Sequence, residues 1–107
     1  MSSISFLYVT CPDHASARNL IKRLLEERLA ACGNILSNVE SHYNWNGKIE
    51  SSSEVILIVK TSSLMIPQVR ALIGELHPYE TPCIAEFKLE SLNHDYAQWL
   101  LGQLGRQ

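Results

Sequence analysis

The chain has no excess of basic residues. Nine Lys and Arg stand against eleven Asp and Glu, and the formal net charge is −2 at pH 7. That balance leaves no basic footprint for a nucleic acid. No apolar run approaches the ~20 residues that span a bilayer, so no membrane partner is expected. The first residues lack the charged and apolar segments of a secretory signal, and a cytoplasmic location is expected. Cysteine is scarce and odd in number: Cys11, Cys32 and Cys83. Their spacing makes no disulfide framework, and reduced thiols suit a cytosol. There is no repeat, low-complexity tract or linker, and 107 residues bound a single domain over 1–107. No H-E-x-x-H, C-x-x-C, P-loop or G-x-S-x-G motif is present. Glu80 and Glu86 stand near no nucleophile. A Cys11–His77 thiolate pair is the one catalytic arrangement conceivable, and the reading is that the chain is not an enzyme.

What is present is a long hairpin from Ile35 to Thr61. Asn46-Gly47 is a strong turn signal, because a type I′ turn needs positive φ at both central residues. Before it, Ile35, Val39, Tyr43 and Trp45 share one parity, which predicts one strand face. After it, Val55-Ile56-Leu57-Ile58-Val59 has the β-branched density of a strand covered on both faces. Arms of about eleven residues at ~3.3 Å each span roughly 36 Å. A domain of this length has a radius of gyration of about 13 Å. The hairpin therefore overhangs the body, with Tyr43 and Trp45 near its end, and self-association is expected.

The rest of the chain follows in order. Ile4 to Thr10 reads as a central strand ended by Cys11-Pro12, with Asp13 as N-cap of the next helix. Ala17, Leu20, Ile21, Leu24, Leu25 and Leu29 recur at helical spacing. This helix is predicted to run to Ala31-Cys32, with Gly33 just past its end. Ser62 or Ser63 is predicted to cap a second helix that runs to about Leu76. Pro67 falls in its first turn, and His77-Pro78 stops it. Cys83 to Leu89 reads as a further strand. Asn93 caps a last helix carrying Tyr96, Trp99, Leu100 and Leu104. The order β-α-β-β-α-β-α predicts an α+β, ferredoxin-like fold with a C-terminal helix. Two helices would lie on one face of an antiparallel sheet of spatial order 4-1-3-2. An α+β sheet with another strand order is the alternative.

That topology brings Cys11, His77 and Cys83 to one edge, with Tyr43, Trp45 and Glu80, and sends Cys32 to the other. Two thiols and an imidazole suit Cu(I), Cu(II) or Zn(II). Cys11 also precedes a helix N-terminus, which lowers a thiol pKa. Each residue has a plainer role as well. Free cysteine is commonly a small buried hydrophobe. His77 at a helix C-terminus suits the dipole, and Tyr43 and Trp45 suit packing between subunits. His14, His42 and His94 have no evident partner.

Several stretches together carry a resemblance. Val9-Thr10-Cys11-Pro12-Asp13, Glu26-Glu27-Arg28-Leu29-Ala30-Ala31-Cys32-Gly33-Asn34-Ile35, Ser41-His42-Tyr43-Asn44-Trp45-Asn46-Gly47-Lys48-Ile49, His77-Pro78-Tyr79-Glu80-Thr81-Pro82 and Tyr96-Ala97-Gln98-Trp99 stand in order. Along nearly its whole length the chain resembles the CutA divalent-cation-tolerance family. The resemblance implies a homotrimer whose long hairpins pair around a three-fold axis. It also implies tolerance of copper or other divalent metal ions, with copper as the candidate ion and His77 as the ligand that carries over, and the shared edge adds Cys11 and Cys83 as candidate ligands. The architecture is similar to that of PII signalling proteins. An alternative is thus a regulatory trimer that binds a small anion or metabolite between subunits near Tyr43, Trp45, Lys60 and Glu80. A structural adaptor trimer is a third reading. Cys83 stands where the family usually has Glu, which exchanges a carboxylate for a thiol. Val9 stands where some members have cysteine.

Overall fold

The computed structural model describes residues 3–106. The elements are β1 (Ile4–Cys11), α1 (His14–Glu26), β2 (Cys32–Trp45), β3 (Lys48–Ser62), a 3-10 turn (Ser63–Met65), α2 (Ile66–Leu76), β4 (Ile84–Lys88) and α3 (His94–Gln103). The sheet order is β2-β3-β1-β4, with every pairing antiparallel. This is the expected α+β arrangement. Leu7, Val9, Leu57 and Val59 point from the sheet into a core closed by Leu20, Leu24, Val69 and Ile73 of the helices. No helix among the described residues is long and apolar enough to cross a membrane.

The hairpin is as long as its sequence requires. Trp45 pairs with Lys48 around Asn46 and Gly47, whose φ values of 50° and 77° are those the turn demands. The described residues extend 46 Å along the longest axis against 26 and 21 Å along the others, so the hairpin does overhang. Trp45 and Ile49 near its tip are 64% and 82% exposed.

The parity expected along β2 fails at one point. Leu36 pairs with Ile56 and Val39 with Glu54, so β2 advances one residue more than β3 between them. This is a β-bulge, and it exchanges the two faces of the strand. Asn38 takes φ 60° there, a conformation that asparagine tolerates better than most residues. His14 Nε2 lies 2.7 Å from Ser37 Oγ and ties the bulge to the start of α1. Ile35 thus faces the helices beside Leu57, while Val39, Tyr43 and Trp45 lie on the face of Glu54 and Glu50.

The first helix stops earlier than its sequence suggests. It ends at Glu26, and Arg28, not Gly33, is the left-handed residue (φ 55°). Tertiary contacts hold Arg28 there. Its Nε donates to Gln103 O at 3.0 Å, and its own carbonyl accepts from Gly105 N at 2.9 Å. A cationic fork on the last carbonyls of α3 suits that end of a helix. Cys32 and Gly33 open β2 instead. Asp13 caps α1 as expected, accepting from Ser16 N at 2.8 Å. Ser62 caps the 3-10 turn, and α2 begins at Ile66. Asn93 stands at the N-cap of α3 without a side-chain bond. Cys83 lies just outside β4.

Gly33 is required by close approach. A Cβ built on it would meet Ile21 Cδ1 at 2.4 Å, so α1 sits almost directly on β2. Gly33→Ala is expected to destabilise the protein by about 1–3 kcal/mol through overpacking. Shortening the opposing side chain with Ile21→Val should recover part of that loss. Denaturant unfolding of the two single variants and the double, at one protein concentration, measures the coupling.

Candidate functional site

A cavity of about 950 Å³ opens where β1 ends, the hairpin leaves the body and the α2–β4 loop passes. Each wall comes from a different element. Tyr43 and Trp45 come from β2; Glu50, Ser52 and Glu54 from β3; Thr10 from β1; and Pro78, Tyr79, Glu80, Thr81 and Cys83 from the loop. The hairpin residues meet because Tyr43 pairs with Glu50, Ser41 with Ser52 and Val39 with Glu54. Directly opposed residues of antiparallel strands share a face, and the bulge selects this one.

A chain of hydrogen bonds fixes the back of the cavity. Tyr79 Oη donates to Glu54 Oε2 at 2.5 Å. Tyr79 N donates to His77 Nδ1 at 3.0 Å. Nδ1 is therefore an acceptor, and His77 Nε2 carries the proton it donates to Thr10 O at 2.8 Å. The two rings lie 4.9 Å apart. The loop is thus tied to the end of β1 through one imidazole. Burial, then the hydrogen bond to Glu54 and its charge, push the Tyr79 phenol well above its usual range. Burial also raises the Cys11 thiol from 9.0 to about 11, with the charges of Asp13 and Glu54 adding to it.

The sequence-predicted ligands share the expected edge but do not converge. Cys11 is fully buried in the core on the helix side of the sheet, opposite Val55. Cys83 is exposed and lines the cavity on the other side. His77 is buried, with both ring nitrogens engaged. Among the described residues no group of three or more His, Cys, Asp and Glu stands together to hold a metal ion. Tyr43, Trp45 and Glu80 do line one cavity. Lys60 does not join them. Its ammonium lies 5.2 Å from the Phe6 ring and 5.5 Å from the Tyr96 ring. Without it the lining holds three carboxylates and no Lys or Arg, a setting that opposes an anion. Two further histidines also have partners, half-buried His14 with Ser37 and exposed His42 with Glu40.

Sequence reasoning missed Glu54, Glu50 and Tyr79. A lone Glu at the head of an apolar run was the available signal for Glu54, since a carboxylate there must be solvated or paired.

The geometry is matched by known proteins. Residues 5–103 fit the family model described as CutA1 divalent ion tolerance protein. The chain is 43% identical over 94 residues to the divalent-cation tolerance protein CutA of Thermococcus kodakarensis, covering 88% of this chain and 89% of that one. It is 38% identical over 98 residues to human protein CutA, covering 92% of this chain. The chain spans about half the length of such vertebrate relatives, 55% for the human protein. Crystal structures of CutA1 from Oryza sativa and CutA from Xylella fastidiosa superpose with TM-scores of 0.95 and 0.93, at 28% and 32% identity. The first covers 99% of this chain and 97% of that one, the second 97% and 100%.

The raised thiol makes a pH prediction. As pH rises, the unfolded chain releases the Cys11 proton first, at its ordinary 9.0, and the folded chain only at about 11. The unfolded state therefore binds fewer protons in that window, and stability falls with pH. The contribution of Cys11 is fully present below pH 9 and lost by about pH 11. Tyr79 adds a loss that begins only above 10.0. Denaturant melts between pH 8 and 10 should show the decline, and Cys11→Ala should flatten it even if it lowers the absolute stability.

Proposed function

We propose a function from one premise: this chain belongs to the CutA1 divalent ion tolerance family. It binds copper or a related divalent ion as a homotrimer, through a single domain over residues 1–107, and catalyses no reaction. The observation that carries this reading is the cavity at the foot of the overhanging hairpin. It collects Glu50, Glu54, Glu80 and Cys83 next to apolar surface that one chain leaves open. Oxygen donors with one thiol suit a borderline divalent ion better than a purely soft or purely hard one.

One chain alone does not complete such a site, because no cluster of three donors stands together among the described residues. A neighbouring copy is the natural source of the rest. Trp45 and Ile49 at the tip, with Leu36 and Phe87 on the sheet, are exposed apolar groups that a second and third copy would cover. His77 and Cys11 are the reserve ligands. To bind, His77 must give up Thr10 or Tyr79, and Cys11 must lose its proton and leave the core. Three free cysteines suit a reducing cytoplasm.

Light scattering should give three times the chain mass for the reduced, metal-free protein. Copper titration against a competing chelator should give one ion per chain, tighter than about 1 µM. Cys83→Ser should weaken it about tenfold or more, and His77→Ala less. Monomeric protein, or weak binding at several ions per chain, would defeat this reading.

A further inference from the structure

At the end of α1 local preference and tertiary contact oppose each other. Residues Glu27 to Ala31 read Glu-Arg-Leu-Ala-Ala, all strong helix formers, and nothing in that run stops a helix. The chain turns there all the same. Arg28 N donates to Leu25 O at 3.1 Å, and Leu29 N to Leu24 O at 2.9 Å. This pair of bonds is the stop that glycine usually provides, and Arg28 stands in glycine's left-handed place with φ 55°. A side chain persists in that conformation only where its surroundings over-determine it.

The surroundings are the far end of α3. Arg28 Nε donates to Gln103 O at 3.0 Å, and Nη2 to Gly102 O at 3.4 Å. In the opposite direction Gly105 N donates to Arg28 O at 2.9 Å. In a continued helix that carbonyl would accept from Cys32 N instead, so the bond to Gly105 requires the turn. The helix α3 has ten residues and no side-chain bond at its N-cap, and a helix this short is marginal without docking. Each element thus holds the other in its present shape.

We propose that the end of α1 and the docked α3 form one two-state device. In the state described, Arg28 is left-handed and α3 is docked. In the other state α3 is released and α1 continues through Leu29 to Ala31. The exchange breaks the bonds from Ala31 N to Lys60 O and from Thr61 Oγ1 to Leu29 O. It also takes the Tyr96 ring from Lys60. Helix α3 is therefore a strap over the root of the hairpin, and its release loosens the first pairs of β2 with β3. The device shares no residue with the cavity lining and requires neither the metal nor the trimer.

The test compares full-length variants by amide hydrogen exchange and 13Cα chemical shifts. Arg28→Gly and Arg28→Ala both remove the guanidinium, but only glycine takes the left-handed turn without cost. The α3 amides, Leu100 among them, should exchange about tenfold faster in Arg28→Ala than in Arg28→Gly. The β1 amides of Leu7 and Val9 should stay slower and nearly equal in the two. Gly105→Pro acts from the other end. It removes the N–H donor, and Leu104 before it is already extended (ψ 156°), as a proline requires. It should release α3 and move the 13Cα shifts of Arg28, Leu29 and Ala30 toward helical values, since coupling is reciprocal. Equal α3 exchange in the two Arg28 variants means a static clasp and overturns the proposal. So does a released α3 with unmoved shifts at Arg28 to Ala30. So do α3 amides that exchange only together with Leu7 and Val9, which would leave no separate release.

Discussion

One extra residue in β2 decides which side chains of the hairpin line the cavity. Up to Leu36 the strand presents its odd-numbered Ile35 to the helices, paired with Leu57. From Val39 onward its odd-numbered residues face the other way. Without the bulge, Tyr43 and Trp45 would point to the helix side and Glu54 would face no aromatic wall, because strand side chains alternate strictly with period two. The bulge is held from both ends. Asn38 supplies the left-handed backbone, and His14 reaches across from α1 to Ser37. Bulges re-aim side chains, and this one turns Tyr43 and Trp45 to the face of Glu50 and Glu54.

Past the bulge the hairpin extends beyond its own core, and energetics then change character. Near the body, Leu57 and Val59 are fully buried and the sheet is stabilised by apolar contact. Near the cavity, order comes from polar bonds. Tyr79, His77 and Thr10 each satisfy the next, and Glu54 ends the series. Such a network is rigid only while every member is matched. Among the described residues every side-chain nitrogen and oxygen sealed from solvent has its partner.

The sequence carried the element order, the hairpin length and the sheet order, because these follow from periodicity and from residues with fixed conformational needs, such as Asn46-Gly47 and His77-Pro78. It did not carry the end of α1. Local spacing through Leu29 continues the helix, but contacts from Gln103 and Gly105, some seventy-five residues away, hold Arg28 left-handed. Nor did it carry the bulge. Asn38 is an ordinary polar residue in an ordinary polar stretch, and only pairing with β3 reveals the extra residue. The edge shared by Cys11, His77 and Cys83 was legible from topology. That Cys11 lies on the far side of the sheet from Cys83 was not, since side-chain parity at a strand end depends on the register with its neighbours. The same limit hid Glu54 and the place of Lys60, whose ammonium lies over Phe6 and Tyr96 and outside this cavity.

The missing lysine is the step that fixes the polarity of the site. With Lys60 in the cavity, an anionic ligand would meet a cation beside two aromatic rings. With Lys60 instead held over Phe6 and Tyr96, the remaining charges are three carboxylates. An anion entering there would have to overcome their field in a partly desolvated space, where charges interact more strongly than in water. A cation gains from the same field and from the ring faces together. A metal ion needs donors that converge, which the described residues of one chain do not supply.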